Sequence, residues 1–290
     1  MPKILKYGAY ATFGVLIFIF FTYLNFPYGK LKDKIFDEVR SQTGLNLDAS
    51  ELKPTLFFEM NLLDVTLGLA HSEQVMMDIP QVSISPSFIS LLTLNPKFKL
   101  NANLTSGNLY AAIVPKPQQM DLVLTLKDVD LKRNFKKQMP MGLGGIAQGE
   151  FHFFGNVQDQ SSLHLKSDFE ITKLELAEWM VFNMKIPALK FSKFKVNAIL
   201  EKQKLAFQTC ELGSSSDDLY AVVQGDALLN FSSIARSQLN LGLKLKLSEK
   251  LKEEFRMFLP FIQNALAPDG YYHLKITGPL TAPLALPQRS

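Results

Sequence analysis

The segment Leu239-Asn240-Leu241-Gly242-Leu243-Lys244-Leu245-Lys246-Leu247 shows most clearly what fold class this chain adopts. Five leucines occupy every second position, and the residues between them are polar or glycine. Successive side chains of a β-strand point to opposite faces, so the segment is typical of a strand with one apolar and one polar face. Such strands belong to antiparallel sheets, because the strands of a parallel sheet are covered on both sides.

The same alternation recurs along the chain from residue 46 onward. The alternating apolar residues are Phe98, Leu100, Ala102 and Leu104; Leu122, Leu124 and Leu126; Phe151 and Phe153; Leu163 and Leu165; Phe194, Val196 and Ala198; Leu219, Ala221 and Val223; and Tyr272, Leu274 and Ile276. Turn sequences such as Ser106-Gly107-Asn108 and Asp269-Gly270 separate these runs. We therefore predict a mainly β protein, built as an elongated antiparallel sheet of short strands with a few short helices.

A sheet with one apolar face has to cover that face. Because few helices are predicted, we expect the sheet to fold on itself as a sandwich, a half-barrel or a curved groove. Its apolar residues then form either a dry core or a groove for an acyl chain, and the sequence leaves both alternatives open. The residues that we assign to this core or groove are Phe98, Leu100, Leu239, Leu241, Leu243, Leu245 and Leu247.

An uncharged run precedes the strands. No charged residue lies between Lys6 and Lys30, and residues 7–26 are almost entirely apolar. About 20 helical residues cross a hydrocarbon core of roughly 30 Å, and the lysines before the run favour a cytoplasmic N-terminus. The run is longer than the core of a signal peptide and ends without a small-x-small cleavage site, so we predict an uncleaved anchor. Its residues include Tyr7, Phe13, Leu16, Phe18, Phe20, Phe21 and Leu24.

The predicted organisation follows from this anchor. The predicted segments are a cytoplasmic stub (1–6), a transmembrane anchor (7–26), a juxtamembrane amphipathic helix (27–44), a periplasmic β-rich domain (45–287) and a C-terminal tail (288–290). The predicted location is the inner membrane, crossed once, with the C-terminal domain in the periplasm.

Two helices are predicted outside the anchor. In residues 30–43, Leu31, Ile35 and Val39 recur every four residues, and the helix either lies on the bilayer as a collar or closes one end of the sheet. In residues 248–267, Ser248 is a helix cap and Pro260 should kink or split the helix. Residues 85–92 are expected to form a short capped turn, and residues 174–182 could be helix or strand.

Motifs of catalytic chemistry are weak in this sequence. The four histidines show no His-x-x-x-His spacing, and Cys210 is the only cysteine. Residues 142–147 match Gly-x-Gly-x-x-Ala but are expected to be a turn leading into a strand at 150–154, and the basic run 132–137 is expected to be a solvated loop. We predict that the chain is not an enzyme, holds no cofactor or metal, and binds no nucleic acid.

The order of several short motifs resembles a known family. These motifs are Phe26-Pro27-Tyr28-Gly29-Lys30-Leu31-Lys32, Gly44-Leu45-Asn46-Leu47, Pro86-Ser87-Phe88-Ile89-Ser90-Leu91-Leu92, the glycine-rich segment 142–149 with Glu150-Phe151-His152-Phe153, Ile186-Pro187-Ala188-Leu189-Lys190-Phe191, Ser237-Gln238-Leu239-Asn240-Leu241, and Ile276-Thr277-Gly278-Pro279-Leu280-Thr281-Ala282-Pro283. Over nearly its whole length the chain resembles the type II secretion system protein N family, and its strands and its ending are also similar to AsmA-like envelope proteins. The first resemblance implies a non-enzymatic inner-membrane component that contacts other secretion-system envelope proteins. The second implies a periplasmic sheet that shields or shuttles phospholipid in an apolar groove.

Overall fold

The computed structural model describes most of the chain after the predicted anchor. The described residues are 13–14, 17–18, 21–23, 25–43, 45–55, 59–69, 75–87, 90, 97–116, 119–135, 142–156, 159–181, 184–231, 233–256 and 259–288. Their strands are β1 (Leu45–Asp48), β2 (Glu51–Pro54), β3 (Met60–Leu69), β4 (Val75–Pro86), β5 (Phe98–Asn103), β6 (Asn108–Pro115), β7 (Met120–Asp130), β8 (Leu143–Gly155), β9 (His164–Leu176), β10 (Trp179–Val181), β11 (Met184–Ile186), β12 (Leu189–Glu201), β13 (Lys204–Leu212), β14 (Leu219–Leu228), β15 (Gln238–Leu247), β16 (Tyr272–Pro279) and β17 (Leu284–Pro287). The named helices are α1 (Tyr28–Thr43), α2 (Leu131–Asn134), α3 (Glu249–Glu254) and α4 (Leu259–Ile262), with 3₁₀ turns at Gln160–Ser162, Ile234–Arg236 and Gln263–Ala265.

Fifteen of these strands form one antiparallel sheet, and β10 pairs only with β11 in a small separate hairpin. From β3 to β9 and from β12 to β17 each strand pairs with the next along the chain, and β9 pairs with β12 across the small hairpin. Both β1 and β2 pair with β3 at the N-terminal edge. The predicted mainly β fold is therefore confirmed. The described strands form one continuous meander and do not divide into the two stacked sheets of a sandwich.

The apolar face is kept continuous where the simple alternation of the sequence breaks. Apolar residues step by three at Leu62–Val65, Leu126–Val129 and Ile171–Leu174, and all but Leu126 of these six are buried. Inside each step lies one residue with positive φ: Asp64 (50°), Asp128 (49°) and Lys173 (52°). At Asp128 the register with β8 also shifts, as expected for a β-bulge. The register of β9 with β8 shifts likewise at Lys173, whereas β3 stays in step with β4 at Asp64. At all three steps the apolar residues on both sides of the irregular residue stay on the same face.

Helix α1 covers the N-terminal end of the apolar face. Its Phe36 is buried in a cluster with Ala49, Leu62, Val65, Val82 and Ala102. The Lys32 ammonium donates a hydrogen bond to the carbonyl of Ala49 (2.9 Å), between β1 and β2. The predicted helix is confirmed: it lies within the predicted segment 27–44 and begins two residues before the periodic stretch 30–43. Its packing agrees with the alternative in which it closes one end of the sheet.

A second, larger core lies at one end of the central and C-terminal strands. Its buried members are Val129, Leu131, Ala147, Ile171, Leu174, Leu189, Phe191, Leu247, Leu251, Ala265, Tyr272 and Leu274. Leu251 belongs to α3, which is capped as predicted by Ser248, whose hydroxyl accepts a hydrogen bond from the N–H of Leu251 (3.2 Å). Pro260 lies near the start of α4, so the predicted splitting of the 248–267 helix is confirmed.

Helix α2 corrects the prediction of a solvated loop over the first part of the basic run 132–137, of which residues 136 and 137 lie outside the described ones. Asn134 is 3% exposed. Its side-chain amide donates to the carbonyls of Ser106 (2.6 Å) and Asp130 (2.7 Å), and its carbonyl accepts from the N–H of Ser106 (3.2 Å). One buried amide thus ties this turn of helix to the β5–β6 turn, while Lys132 and Arg133 remain exposed.

Three further predictions can be compared with the described residues. The glycine-rich segment 142–147 is not a turn, because β8 already begins at Leu143 and includes most of it. The segment 174–182, left open between helix and strand, contains the end of β9 and the short strand β10. Of the predicted capped turn at 85–92, Ser85 and Pro86 are instead the last residues of β4, and the N–H of Ser90 donates to the carbonyl of Ser87 (3.0 Å). The other four residues lie outside the described ones.

The predicted membrane anchor also lies largely outside the described residues. Tyr7, Leu16, Phe20 and Leu24 are outside them, whereas Phe13, Phe18 and Phe21 are described and are 62%, 72% and 58% exposed. No helix within the described part of the chain is both long enough and apolar enough to cross a bilayer. The anchor and the inner-membrane location stay predictions.

Candidate functional site

The register of the sheet joins the two groups of apolar residues that the sequence proposes. Starting from Phe98 and moving from strand to strand through directly opposed residues, one reaches Leu239 in β15 without meeting a polar side chain. This first row runs from β4 to β16 through Pro86, Phe98, Ile113, Leu122, Phe153, Leu165, Leu200, Leu205, Ala227, Leu239 and Gly278. Opposed residues in an antiparallel sheet lie side by side on the same face, so the row is a continuous strip of neighbouring side chains on that face.

A second row lies beside the first and joins Leu100 to Leu241. It runs from β2 to β17 through Pro54, Met60, Ile84, Leu100, Ala111, Leu124, Phe151, Ser167, Ala198, Phe207, Gly225, Leu241, Ile276 and Ala285. Ser167 is its one polar side chain, and its hydroxyl donates to the carbonyl of Ala198 (3.3 Å) in a buried position. We call the two rows together the apolar lane.

The lane is long compared with a small-molecule pocket. Neighbouring strands lie about 4.8 Å apart, so the intervals from Pro54 to Ala285 measure roughly 60 Å along the sheet. Residues two apart on a strand are separated by about 6.6 Å, which gives two rows a width of roughly 13 Å. These dimensions suit an elongated ligand, such as an acyl chain, better than a compact one.

The lane is only partly buried, in contrast to the two cores. Among the described residues, no member of the first row belongs to either buried cluster, and from Ala111 onward no member of the second row does. Large side chains such as Leu124, Phe153, Phe207 and Leu241 keep intermediate exposure. Buried members are mostly small or central, namely Ser167, Ala198, Leu200 and Ala227. The lane is therefore an apolar surface that is partly exposed to solvent.

The structure divides the residues that the sequence proposes for a core or groove. Leu247 is 9% exposed and belongs to the larger core, and Leu243 and Leu245 pack against that core. Leu239 and Leu241 lie on the lane outside the core. In β5, Phe98 and Leu100 are on the lane as well, with Leu100 also packed against the cluster under α1.

The lane borders the larger core along three phenylalanine rings. The ring centroids of Phe151 and Phe169 are 5.8 Å apart, and those of Phe169 and Phe194 are 6.5 Å apart. Phe151 lies on the lane, whereas Phe169 and Phe194 pack against the core. These contacts connect the accessible part of the apolar face to the dry part near the centre of the sheet.

Cys210 lies on the same face as the lane, in a position that sequence alternation alone does not single out. It is directly opposed to Val196 in β12 and is half-buried. Burial raises the pKa of its thiol above the usual value. The chain thus carries one natural thiol beside the lane, and the rate at which a reagent modifies this thiol reports whether the neighbouring part of the lane is covered.

The opposite face of the sheet is polar and carries ion pairs between side chains of neighbouring segments. Lys193 and Glu211 meet at 2.7 Å, and Lys244 and Asp269 meet at 3.0 Å. Lys244, the N–H of Tyr271 and His273 act together to lower the pKa of Asp269 to about 2. Such surface pairs add little to stability, but they mark this face as the one that contacts water.

Two His–Asp pairs lie on the polar face of the described sheet, His152 with Asp121 (2.9 Å) and His273 with Asp269 (3.1 Å). No three His, Cys, Asp or Glu side chains there are close enough together to hold a metal ion. Two surface depressions are present in the described part. One, of about 510 Å³, is lined by Gln203, Leu228, Leu229, Asn230, Phe231, Arg236 and Gln238. The other, of about 380 Å³, is lined by Thr125, Leu126, Lys127, Gln148, Gly149, Glu150, Asp168, Glu170 and Lys195.

Comparison of the chain with protein-family models, with curated proteins and with solved structures finds no match. The resemblance to the secretion protein and to AsmA-like proteins therefore stays a prediction.

Proposed function

We propose that this chain is a non-enzymatic, membrane-anchored protein of the bacterial cell envelope whose apolar lane binds the acyl chains of lipids. The observation that carries the proposal is the partial exposure of two continuous apolar rows that lie mostly outside both cores. Burial of apolar surface is worth about 25 cal/mol per Å², so a chain lying along such rows gains binding energy from every strand that it crosses. Phospholipid is the ligand class that this surface suits in a periplasmic domain.

The attachment of the N-terminal segment is consistent with a lane that starts near a membrane. The hydroxyl of Tyr23 donates a hydrogen bond to the carbonyl of Thr55, and Thr55 follows Pro54, the first member of the second row. Tyr23 belongs to the predicted anchor. With that anchor in the inner membrane, the second row would begin at the bilayer surface and lead away from it.

Cys210 provides a test that leaves the lane unchanged. We expect a maleimide to modify Cys210 more slowly after the full-length protein in detergent is loaded with phospholipid, and mass spectrometry should find phospholipid retained by the purified protein. A matched control is the double variant Thr209→Cys/Cys210→Ser, which moves the thiol by one position to the polar face. Equal protection at both positions, or lipid-free protein with no protection at Cys210, would contradict the proposal.

A role in the type II secretion system is a second proposal, favoured by a separate observation. Leu280, Leu284 and Leu286 near the C-terminal edge are 46%, 62% and 52% exposed. Exposed apolar side chains grouped together mark surfaces for protein contacts. If they contact other envelope components, the variant Leu284→Ser/Leu286→Ser should recover less of those components after cross-linking in membranes, and unchanged recovery would argue against this role.

A further inference from the structure

The C-terminal edge of the sheet ends in a short strand with prolines near both of its ends. Strand β17 pairs with β16 on one side, and no described strand pairs with its other side. All four of its residues are exposed. An unpaired strand edge ordinarily presents a row of free N–H and C=O groups that can accept a further strand.

The hydrogen bonds around β17 fix which of its backbone groups point outward. The N–H of Gln288 donates to the carbonyl of His273 (2.9 Å), which makes these two a hydrogen-bonded pair. In an antiparallel ladder such pairs alternate, so Leu286 and Leu284 also bond to β16. The N–H and C=O positions of residues 283, 285 and 287 therefore point to the free edge.

Two of these three outward positions are proline. Pro283 and Pro287 have no backbone N–H, so Ala285 is the one residue among them that can donate. Prolines at the outward positions of an edge cost nothing inside the sheet, because the ladder to β16 uses the other residues. The same two residues remove most of the donors that an added strand needs.

We infer that Pro283 and Pro287 close this edge to strand addition, so that the sheet and its lane end within one molecule. At the other edge, α1 contacts both β1 and β2. Any partner of the C-terminal end must then contact a face of the sheet, such as the exposed leucines, and cannot extend the sheet. This inference does not depend on what the lane binds.

Restoring the missing donors tests the inference. Antiparallel pairing of two β17 edges about Ala285 would form about two hydrogen bonds in the natural chain and about six in the variant Pro283→Thr/Pro287→Thr, since each non-proline residue supplies one donor. Each added hydrogen bond is worth roughly a factor of five in association, so the new ones together should strengthen self-association about a thousandfold. Light scattering of the full-length protein in detergent, over a concentration series, measures this change.

The control variant Leu284→Thr/Leu286→Thr changes the same strand at positions that bond to β16, and it should not increase association. Each single proline variant restores half of the missing donors and should give about a thirtyfold increase, which keeps the test usable if the double variant does not fold. Equal association of the natural chain and the proline variants would overturn the inference. So would a natural chain that already pairs through β17.

Discussion

Replacing two leucines on the lane should weaken lipid binding while leaving the fold intact. The variant Leu239→Gln/Leu241→Gln changes adjacent lane positions in β15, both half-buried and outside the larger core. Glutamine is close to leucine in size, so the change mainly replaces apolar contact surface by an amide. The matched control is Leu228→Gln/Leu286→Gln, because these leucines are 53% and 52% exposed and lie on the opposite face.

The size of the effect follows from the surface that an acyl chain would cover. Fully burying a leucine side chain is worth about 1.5–3 kcal/mol, and the lane positions are already half-buried, so contact with a ligand is worth roughly 1 kcal/mol at each. Two positions then contribute about 2 kcal/mol, which corresponds to about a thirtyfold weaker affinity. An unpaired amide beneath the chain would weaken binding further.

Titration with a fluorescent fatty acid, combined with quantification of retained phospholipid, measures the affinity. Thermal unfolding of each variant shows whether the fold is kept, and Leu247→Gln in the larger core serves as the destabilised reference, with an expected loss of about 3 kcal/mol or more. If the lane variant binds as tightly as the natural chain, or if the opposite-face control loses the same affinity, the lane is not the binding surface.

Two further predictions concern how the sheet is held together. Asn134→Ala removes the three hydrogen bonds of a buried amide and should lower the free energy of unfolding by about 2–4 kcal/mol. Asn134→Asp should cost at least as much at neutral pH, because a carboxylate would face two carbonyl oxygens. Denaturant unfolding measures both, and a loss within error of zero would refute the role of this amide. The pKa of Asp269 is lowered from 3.8 to about 2, so its contribution to stability is present above pH 3.8 and is lost as the pH falls towards 2. Asp269→Asn should therefore flatten the dependence of the free energy of unfolding on pH in this range. An unchanged pH dependence would exclude Asp269 as its origin.

The sequence predicts the elements of this fold better than it predicts their assembly. Alternating residues such as those of Leu239–Leu247 specify both the strand and its apolar face, because the side-chain period of a strand is two. The three-residue steps at Asp64, Asp128 and Lys173 break that period, and nothing local shows that an irregular residue restores the face. Helix α2 escapes prediction for a related reason. Its basic residues are exposed, and besides its local Asp130 cap it is held by an amide that contacts a distant turn.

The candidate site is predictable in part. Alternation alone assigns Leu100 and Leu241 each to an apolar face, but their connection depends on the register of every strand pair between them, which no single segment encodes. Small members such as Ala198 and Gly225 carry little apolar signal of their own, and they become lane residues through their opposed neighbours. Alternation also groups Leu247 with the other leucines of β15, whereas its burial depends on core residues such as Leu131, which lie far away in the chain.

The extent of the lane supports the proposal that it binds a ligand. Scattered apolar residues on a surface require no explanation, but contiguous apolar patches beyond a few hundred Å² mark interaction sites. The first row spans roughly 50 Å and the second roughly 60 Å, so the footprint of the lane on the sheet is roughly 700 Å², of which the partly buried side chains expose a part. Polar residues at these half-exposed positions would cost little stability, since most of the lane lies outside both cores. An apolar face kept continuous across so many strands and left partly uncovered is the property expected of a surface that holds a lipid chain.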